Sequence, residues 1–183
     1  RTERKLSARA NGRIVSGGLY EINEAGGNVP LMVACPARIQ GGRTAALADF
    51  TDVFPTICDL TRTPRPEGVK LDGRSFAPFL LGDGPAPRTW IFNEYGPNRV
   101  VRDKRYKLNS RGELFDLDAD PEEKAPLDSP DATASAARLE LKKALDGMPP
   151  VTPLPFEHRS LSAFKLRPSV APAPGGDSAG KRN

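Results

Sequence analysis

Histidine and tryptophan each occur once in these 183 residues, cysteine occurs twice, and aromatic side chains make up only 7%. The cysteines, Cys35 and Cys58, form no CxxC pair and have no histidine at a zinc-ligand spacing, so nothing points to zinc. Both stand in apolar surroundings and read as small buried hydrophobes; a disulfide between them is left open. The lone histidine lies in Phe156-Glu157-His158-Arg159, within a stretch without periodicity, where a catalytic role is not expected. No apolar run approaches the length of a membrane span, and no signal peptide is visible. The chain also has no initiator methionine and opens on Arg1-Thr2-Glu3-Arg4, which suggests truncation at the N-terminus. Such a chain does not report on export.

The net charge of +4 is less informative than its placement. Residues 1–13 hold five basic side chains against one acidic, and residues 151–183 hold five against two, which leaves the middle slightly acidic. Nucleic-acid binding calls for a basic face interleaved with aromatics on a folded element, and none is evident. Proline (19) and glycine (17) are abundant while hydrophobic residues reach only 38%, favouring a loop-rich α/β chain with a modest core.

Along the chain, residues 1–18 read as irregular. The loop Leu19–Asn28 carries Glu21, Asn23, Glu24 and Asn28 around Gly26-Gly27, and then Val29–Ala34 turns wholly apolar before Pro36. That run predicts a strand buried on both faces. Asp52 is a natural N-cap, Pro55 falls in the first turn after it, and Val53, Phe54, Ile57 and Leu60 share a face that predicts a short helix docked on a sheet. A turn at Leu71–Ser75 leads to a short apolar helix over 76–81. From Trp90 the period changes to two, predicting a strand to Tyr95. Val100–Leu108 predicts a tight hairpin with Asp103-Lys104 at its tip, where a turn requiring positive φ would strain Lys104 by roughly 1–2 kcal/mol. Glu113–Leu117 completes an antiparallel meander counted as three strands. Ser129-Pro130 reads as N-cap and first helical residue, with Ala134, Ala137, Leu141, Ala144, Leu145 and Met148 on one face and Gly147 as the stop. Trp90 and Tyr95 are expected to pack the small core. The chain therefore divides into an α/β segment over 1–87, a small antiparallel sheet with a helix over 88–150, and a Pro/Ala/Gly-rich basic tail over 151–183 that reads as disordered.

Five segments in order resemble the C-terminal portion of the sulfatase family: Gly17-Gly18 with Glu24-Ala25-Gly26 before Val29-Pro30-Leu31; Asp52-Val53-Phe54-Pro55-Thr56 before Asp59-Leu60; Leu71-Asp72-Gly73-Arg74-Ser75; Val101-Arg102-Asp103 with Arg105-Tyr106-Lys107-Leu108; and Glu113-Leu114-Phe115-Asp116-Leu117 with Asp120-Pro121 and Glu123. Each alone is weak, and their order over residues 17–125 carries the resemblance. It implies an alkaline-phosphatase-like α/β fold, of which this chain is the C-terminal fragment, and hydrolysis of sulfate esters on a small molecule or carbohydrate. It further implies a formylglycine nucleophile made within Cys/Ser-x-Pro-x-Arg and a Ca2+ ion held by acidic and amide side chains. Neither Cys35-Pro36 nor Cys58-Asp59 fits the nucleophile motif, so nucleophile and metal ligands are expected upstream of Arg1, and this chain alone is expected to be inactive and to bind no metal. Export to the periplasm or outside the cell is the family's habit.

The family's sulfate-contacting lysine falls on Leu19, which cannot donate to an oxyanion, and the arginine common before Val-Pro is Asn28. Asn23, Glu24 and Asn28 are the candidate substrate-binding residues, against the alternative that they cap and brace a turn. Two other functions stay open: a degenerate, non-catalytic sulfatase-like binding protein, and a phosphoester or phosphonate hydrolase of the same superfamily. The acidic cluster Asp116, Asp118, Asp120, Glu122 and Glu123 lacks the glycine and spacing of an EF-hand loop and reads as structural. Arg102, Arg105 and Lys107 read as a solvated face with ion pairs, or else as contacts to an anionic substrate.

Overall fold

A computed structural model describes residues 22–151 and the backbone of 7–10 and 13–16. Gly17-Gly18, Leu19, His158 and the tail from 152 onward lie outside the described residues. Within the stretch expected to be irregular, β1 (Ser7–Ala10) and β2 (Arg13–Ser16) pair antiparallel, Ala8 opposite Val15 and Arg9 opposite Ile14. After them come α1 (Glu24–Gly27), a 3-10 turn (Phe50–Asp52), α2 (Val53–Thr61), α3 (Ala77–Leu81), β3 (Ile91–Tyr95), β4 (Asn98–Arg102), β5 (Tyr106–Asn109), β6 (Leu114–Asp116) and α4 (Ala132–Asp146).

The meander is present with four strands rather than three, in the order β3-β4-β5-β6. Gly96, at a positive φ of 56°, turns the chain between β3 and β4; the expected strand to Tyr95, the two arms of the 100–108 hairpin and the closing strand are all present, and together they number four. At the next tip Lys104 escapes the anticipated strain. Among the described residues only Arg62 and Glu123 are non-glycines at positive φ. The Asp103 carboxylate closes that turn by accepting from the amides of Arg105 at 2.7 Å and Tyr106 at 2.6 Å.

The pleat gives the sheet two faces. One rank runs Phe92, Val101, Leu108, Leu114 across the four strands and packs against α4, where Val101 and Leu114 are wholly buried and Ala134 and Leu141 nearly so. Trp90, Ala137, Ala144 and Leu145 close around this core as expected. Tyr95 lies three residues beyond Phe92, half-buried on the opposite face, so its assignment to the core is corrected: it stands on the wrong side of the pleat. The other rank runs Ile91, Arg102, Lys107, Phe115. The cap of α4 is also corrected. Asp131, not Ser129, accepts from the amide of Ala134 at 2.7 Å, and the helix begins one residue later at Ala132. The cap lies two residues further along, where the Asp131 carboxylate meets the orphan amides of the first turn.

Two expectations fail in the earlier half. Val29–Ala34 forms no strand; Val29, Leu31, Met32 and Val33 are 66%, 52%, 89% and 41% exposed. A strand needs a neighbour to complete its ladder, and none flanks this run among the described residues. The helix over 53–61 is present, yet it buries the other side. Pro55, Thr56 and Cys58 face inward, while Phe54 and Ile57 are 49% and 53% exposed.

The cause is Asp52, whose side chain does not cap the helix it precedes. Asp49 caps the 3-10 turn, and Asp52 completes a capping box by accepting from the Asp49 amide at 2.9 Å. The same carboxylate accepts from the Arg74 amide at 2.6 Å and from Arg88 through Nε at 2.6 Å and Nη2 at 2.5 Å. Asp52 is fully buried and the Arg88 side chain is 8% exposed, so this bidentate pair is the joint that gathers α2, residues 71–76 and the approach to β3. Thr56 reinforces it, its hydroxyl donating to the Asp52 carbonyl at 2.6 Å and accepting from the Phe76 amide at 3.0 Å. Gly73 threads this joint so closely that an added Cβ would stand 1.9 Å from the Thr51 carbonyl oxygen.

Cys35 and Cys58 are both free thiols. No helix among the described residues is long and apolar enough to cross a membrane.

Candidate functional site

The turn that carries the candidate residues is a single helical turn, Glu24-Ala25-Gly26-Gly27. Asn23 is its N-cap, with the side-chain oxygen accepting from the Gly26 amide at 3.2 Å. Asn28 closes the other end; its amide donates to the Glu24 carbonyl at 3.1 Å, and its side-chain Nδ2 donates to Glu24 Oε2 at 3.1 Å. Such a turn has little stability of its own. Helix nucleation is unfavourable, and each glycine disfavours the helix by about 1 kcal/mol relative to alanine.

Tertiary contacts supply the rest, from the sheet and from Glu123 in the loop that follows β6. Arg102 Nη1 donates to Glu24 Oε2, Lys107 Nζ lies 3.4 Å from Glu24 Oε1, and Lys107 Nζ donates to Glu123 Oε1 at 2.9 Å. Glu123 reaches back across 99 residues to accept from the Glu24 amide at 2.6 Å. Two acids and two bases thus form a closed, charge-balanced cluster. Lys107 is 3% exposed, and Glu123, Glu24 and Arg102 are at most 15% exposed. Glu123 holds a left-handed backbone (φ 53°), unusual for a non-glycine, and strain of that kind persists where surrounding contacts over-determine it. At the far end of the turn, an added Cβ on Gly27 would lie 3.1 Å from the Asn93 side chain of β3.

The solvated-face reading of Arg102, Arg105 and Lys107 is therefore corrected for two of the three. Arg102 and Lys107 are directly opposite one another on β4 and β5, with their charges buried against carboxylates. Arg105 alone stays at the half-exposed tip, clasping Asp116 at 2.7 Å. That guanidinium holds the Asp116 carboxyl below the usual carboxylate range, against a smaller opposing effect of burial. Asp116 also accepts from the amides of Asp118 and Ala119, and Asp120 from those of Lys124 and Ala125. These carboxylates are turn-formers.

The resemblance implies a calcium ion and a formylglycine, and the described residues do not fit either. No group of three His, Cys, Asp or Glu side chains among them could hold a metal ion. Glu24 and Glu123, the two acids beside the candidate turn, are already satisfied by Arg102 and Lys107.

Sequence reasoning singled out Glu24 and missed its partners. A usable signal was present. A two-residue tip at 104–105, with Asp103 facing Tyr106, places Arg102 opposite Lys107, and two like charges in direct register destabilise a sheet unless an acid lies between them. Nothing local identified which acid.

No protein-family model matches the chain. Among curated proteins it is similar to an ulvan-active sulfatase of Formosa agariphila, 32% identical over 101 residues, covering 49% of this chain and 20% of that protein. It is similar to an N-acetylgalactosamine-6-O-sulfatase of Bacteroides thetaiotaomicron, 29% identical over 131 residues, covering 61% of this chain and 26% of that protein. It is also 39% identical to human arylsulfatase A over 107 residues, covering 54% of this chain and 21% of the other. A solved structure in complex with its substrate D-glucosamine-2-N,6-O-disulfate aligns at 24% identity with a TM-score of 0.40, covering 52% of this chain and 22% of that one. The chain thus spans about a fifth to a quarter of the length of these relatives, and over that span it resembles sulfatases, as its ordered motifs indicated.

Proposed function

We propose that this chain is the C-terminal part of a sulfatase that hydrolyses sulfate esters, those of carbohydrates included. The observation that carries the reading is the similarity to curated sulfatases, at 29–39% identity over 101–131 residues. One relative's name specifies a sulfated amino sugar, which favours a carbohydrate substrate. The exposed apolar run from Val29 to Val33 and the outward Phe54 and Ile57 support the same reading, because such surface is what further polypeptide would cover. In this reading the nucleophile and the calcium site belong to residues upstream of Arg1, and the present residues supply the scaffold on one side of the substrate. Asn23, Glu24 and Asn28 are the residues of this chain proposed to border the pocket, Glu24 through the shape of the turn rather than through its carboxylate.

A second reading is a sulfatase-like protein that binds without catalysis, and Leu19 at the lysine position favours it. The coding sequence on the 5′ side of Arg1 separates the two. An intact Cys/Ser-x-Pro-x-Arg with acidic metal ligands is expected. A reading frame that continues upstream without that motif would leave the binding protein, and a serine or threonine nucleophile of the alkaline-phosphatase kind would shift the substrate to a phosphoester.

A further inference from the structure

The sheet face opposite α4 carries an arrangement that fold alone does not demand. Arg102 and Lys107 are cross-strand partners with their cationic ends buried, and Ile91 and Phe115 flank them in the same rank. Two like charges in register repel, and a buried lysine without a partner is costly. The pair is tolerable because one carboxylate, Glu24, reaches both, with Glu123 taking a second share of Lys107. The geometry also couples parts of the chain distant in sequence, since the Glu24–Arg102 and Glu24–Lys107 contacts bridge 78 and 83 residues.

From this we propose that Arg102 and Lys107 are positioning residues: acting through Glu24, they set the orientation of the Asn23–Asn28 turn and of the chain that leaves it, and they do not themselves contact a sulfate group. The consequence for the turn is specific. Its own sequence, two glycines in a single helical turn, leaves it under-determined, and its N-cap and C-cap bonds are local to the turn and say nothing of its direction. Among the described residues, direction comes from three tertiary contacts: the Glu24 carboxylate on the cationic pair of the sheet, the Glu24 amide on Glu123 in the loop after β6, and the close approach of Gly27 to Asn93 of β3. Asn28 is thereby locked, since its side chain bonds the same Glu24 oxygen that receives Arg102. That the turn borders a substrate pocket rests on the sulfatase reading; the tether itself does not.

The test is amide hydrogen exchange on the 183-residue chain, with variants Arg102→Met, Lys107→Met, Arg102→Lys and Glu24→Gln, beside a titration of the unaltered chain with inorganic sulfate. In the two methionine variants and in Glu24→Gln, the amides of Gly26, Gly27 and Asn28 are expected to exchange about tenfold faster or more, while the ladder amides of β4 and β5 stay within about twofold. Arg102→Lys, which keeps a cation, is expected to recover most of the protection. Should a methionine variant disturb the sheet as well, Glu24→Gln decides, because it alters no sheet side chain. Unchanged exchange of the turn in Glu24→Gln overturns the proposal. So does a saturable, sulfate-dependent shift of the Arg102 or Lys107 side-chain resonances in the unaltered chain, since that would make them anion ligands. Neither result depends on whether an upstream nucleophile motif exists, so failure of the tether and failure of the sulfatase reading are told apart.

Discussion

Asp52→Ala is expected to destabilise the chain by about 3–5 kcal/mol, because it strands the Arg88 guanidinium in a buried setting with no counter-charge. It also removes the acceptor for the amides of Asp49 and Arg74, which belong to two different segments. A loss of that size is a large fraction of the ~5–15 kcal/mol that holds an ordinary domain folded. Urea unfolding followed by circular dichroism reads it as a lowered midpoint.

The same residue gives a signed pH dependence. Burial works to raise the Asp52 carboxyl, but hydrogen bonds from Arg88 and from the amides of Arg74 and Asp49, with the arginine's charge, outweigh it and hold the carboxyl below its ordinary value. A depressed carboxyl stabilises the fold fully above its unfolded pKa of about 3.9, and that contribution is lost as pH falls through the lower folded value. Asp116 is lowered by Arg105 and acts in the same direction. Stability is therefore expected to fall below about pH 4. Asp52→Asn is expected to be less stable near neutrality and to lose less on acidification. An Asn variant with an acid limb as steep as that of the unaltered chain would show that Asp52 is not responsible.

Leu141→Ala is the second large effect, expected at about 2–5 kcal/mol. Leu141 is 2% exposed in the core shared with Val101, Tyr106, Leu108 and Leu114, so truncation opens a cavity that strands on one side and α4 on the other cannot easily close. Leu139, two residues away on the same helix and 69% exposed, is the matched control. Leu139→Ala is expected to change stability by no more than about 0.5 kcal/mol. Equal effects at the two positions would contradict the packing of α4 on the sheet.

These residues differ in how readily the sequence discloses them. Leu141 was legible, since helical spacing from Ala134 to Leu145 marks the face that the sheet covers, and the ladder partners of β3 to β6 follow one another along the chain. Period and turn chemistry are sufficient where partners are local. Asp52 was legible only as a helix cap, because its principal partner lies 36 residues downstream and no periodicity links a carboxylate to a distant guanidinium. That ion pair then sets which side of α2 faces inward, which is why the apolar stripe of Phe54 and Ile57 points outward. Val29–Ala34 failed for a related reason: composition marks a segment that would suit a buried strand, but a strand exists only where a neighbour offers its backbone. At the candidate turn, the glycines and flanking amides were legible as an organised loop, and Glu24 as its notable carboxylate. Its use was not, since Arg102, Lys107 and Glu123 are brought to it by tertiary structure across 78 to 99 residues.

The claim on which the functional account turns is that the reacting groups of the proposed sulfatase lie outside these residues. Turnover of 4-nitrophenyl sulfate by the purified 183-residue chain, with calcium supplied, measures this directly. Release no faster than the buffer blank is expected; sustained turnover above the blank, growing in proportion to the chain's concentration, would contradict it by placing a working nucleophile within this chain.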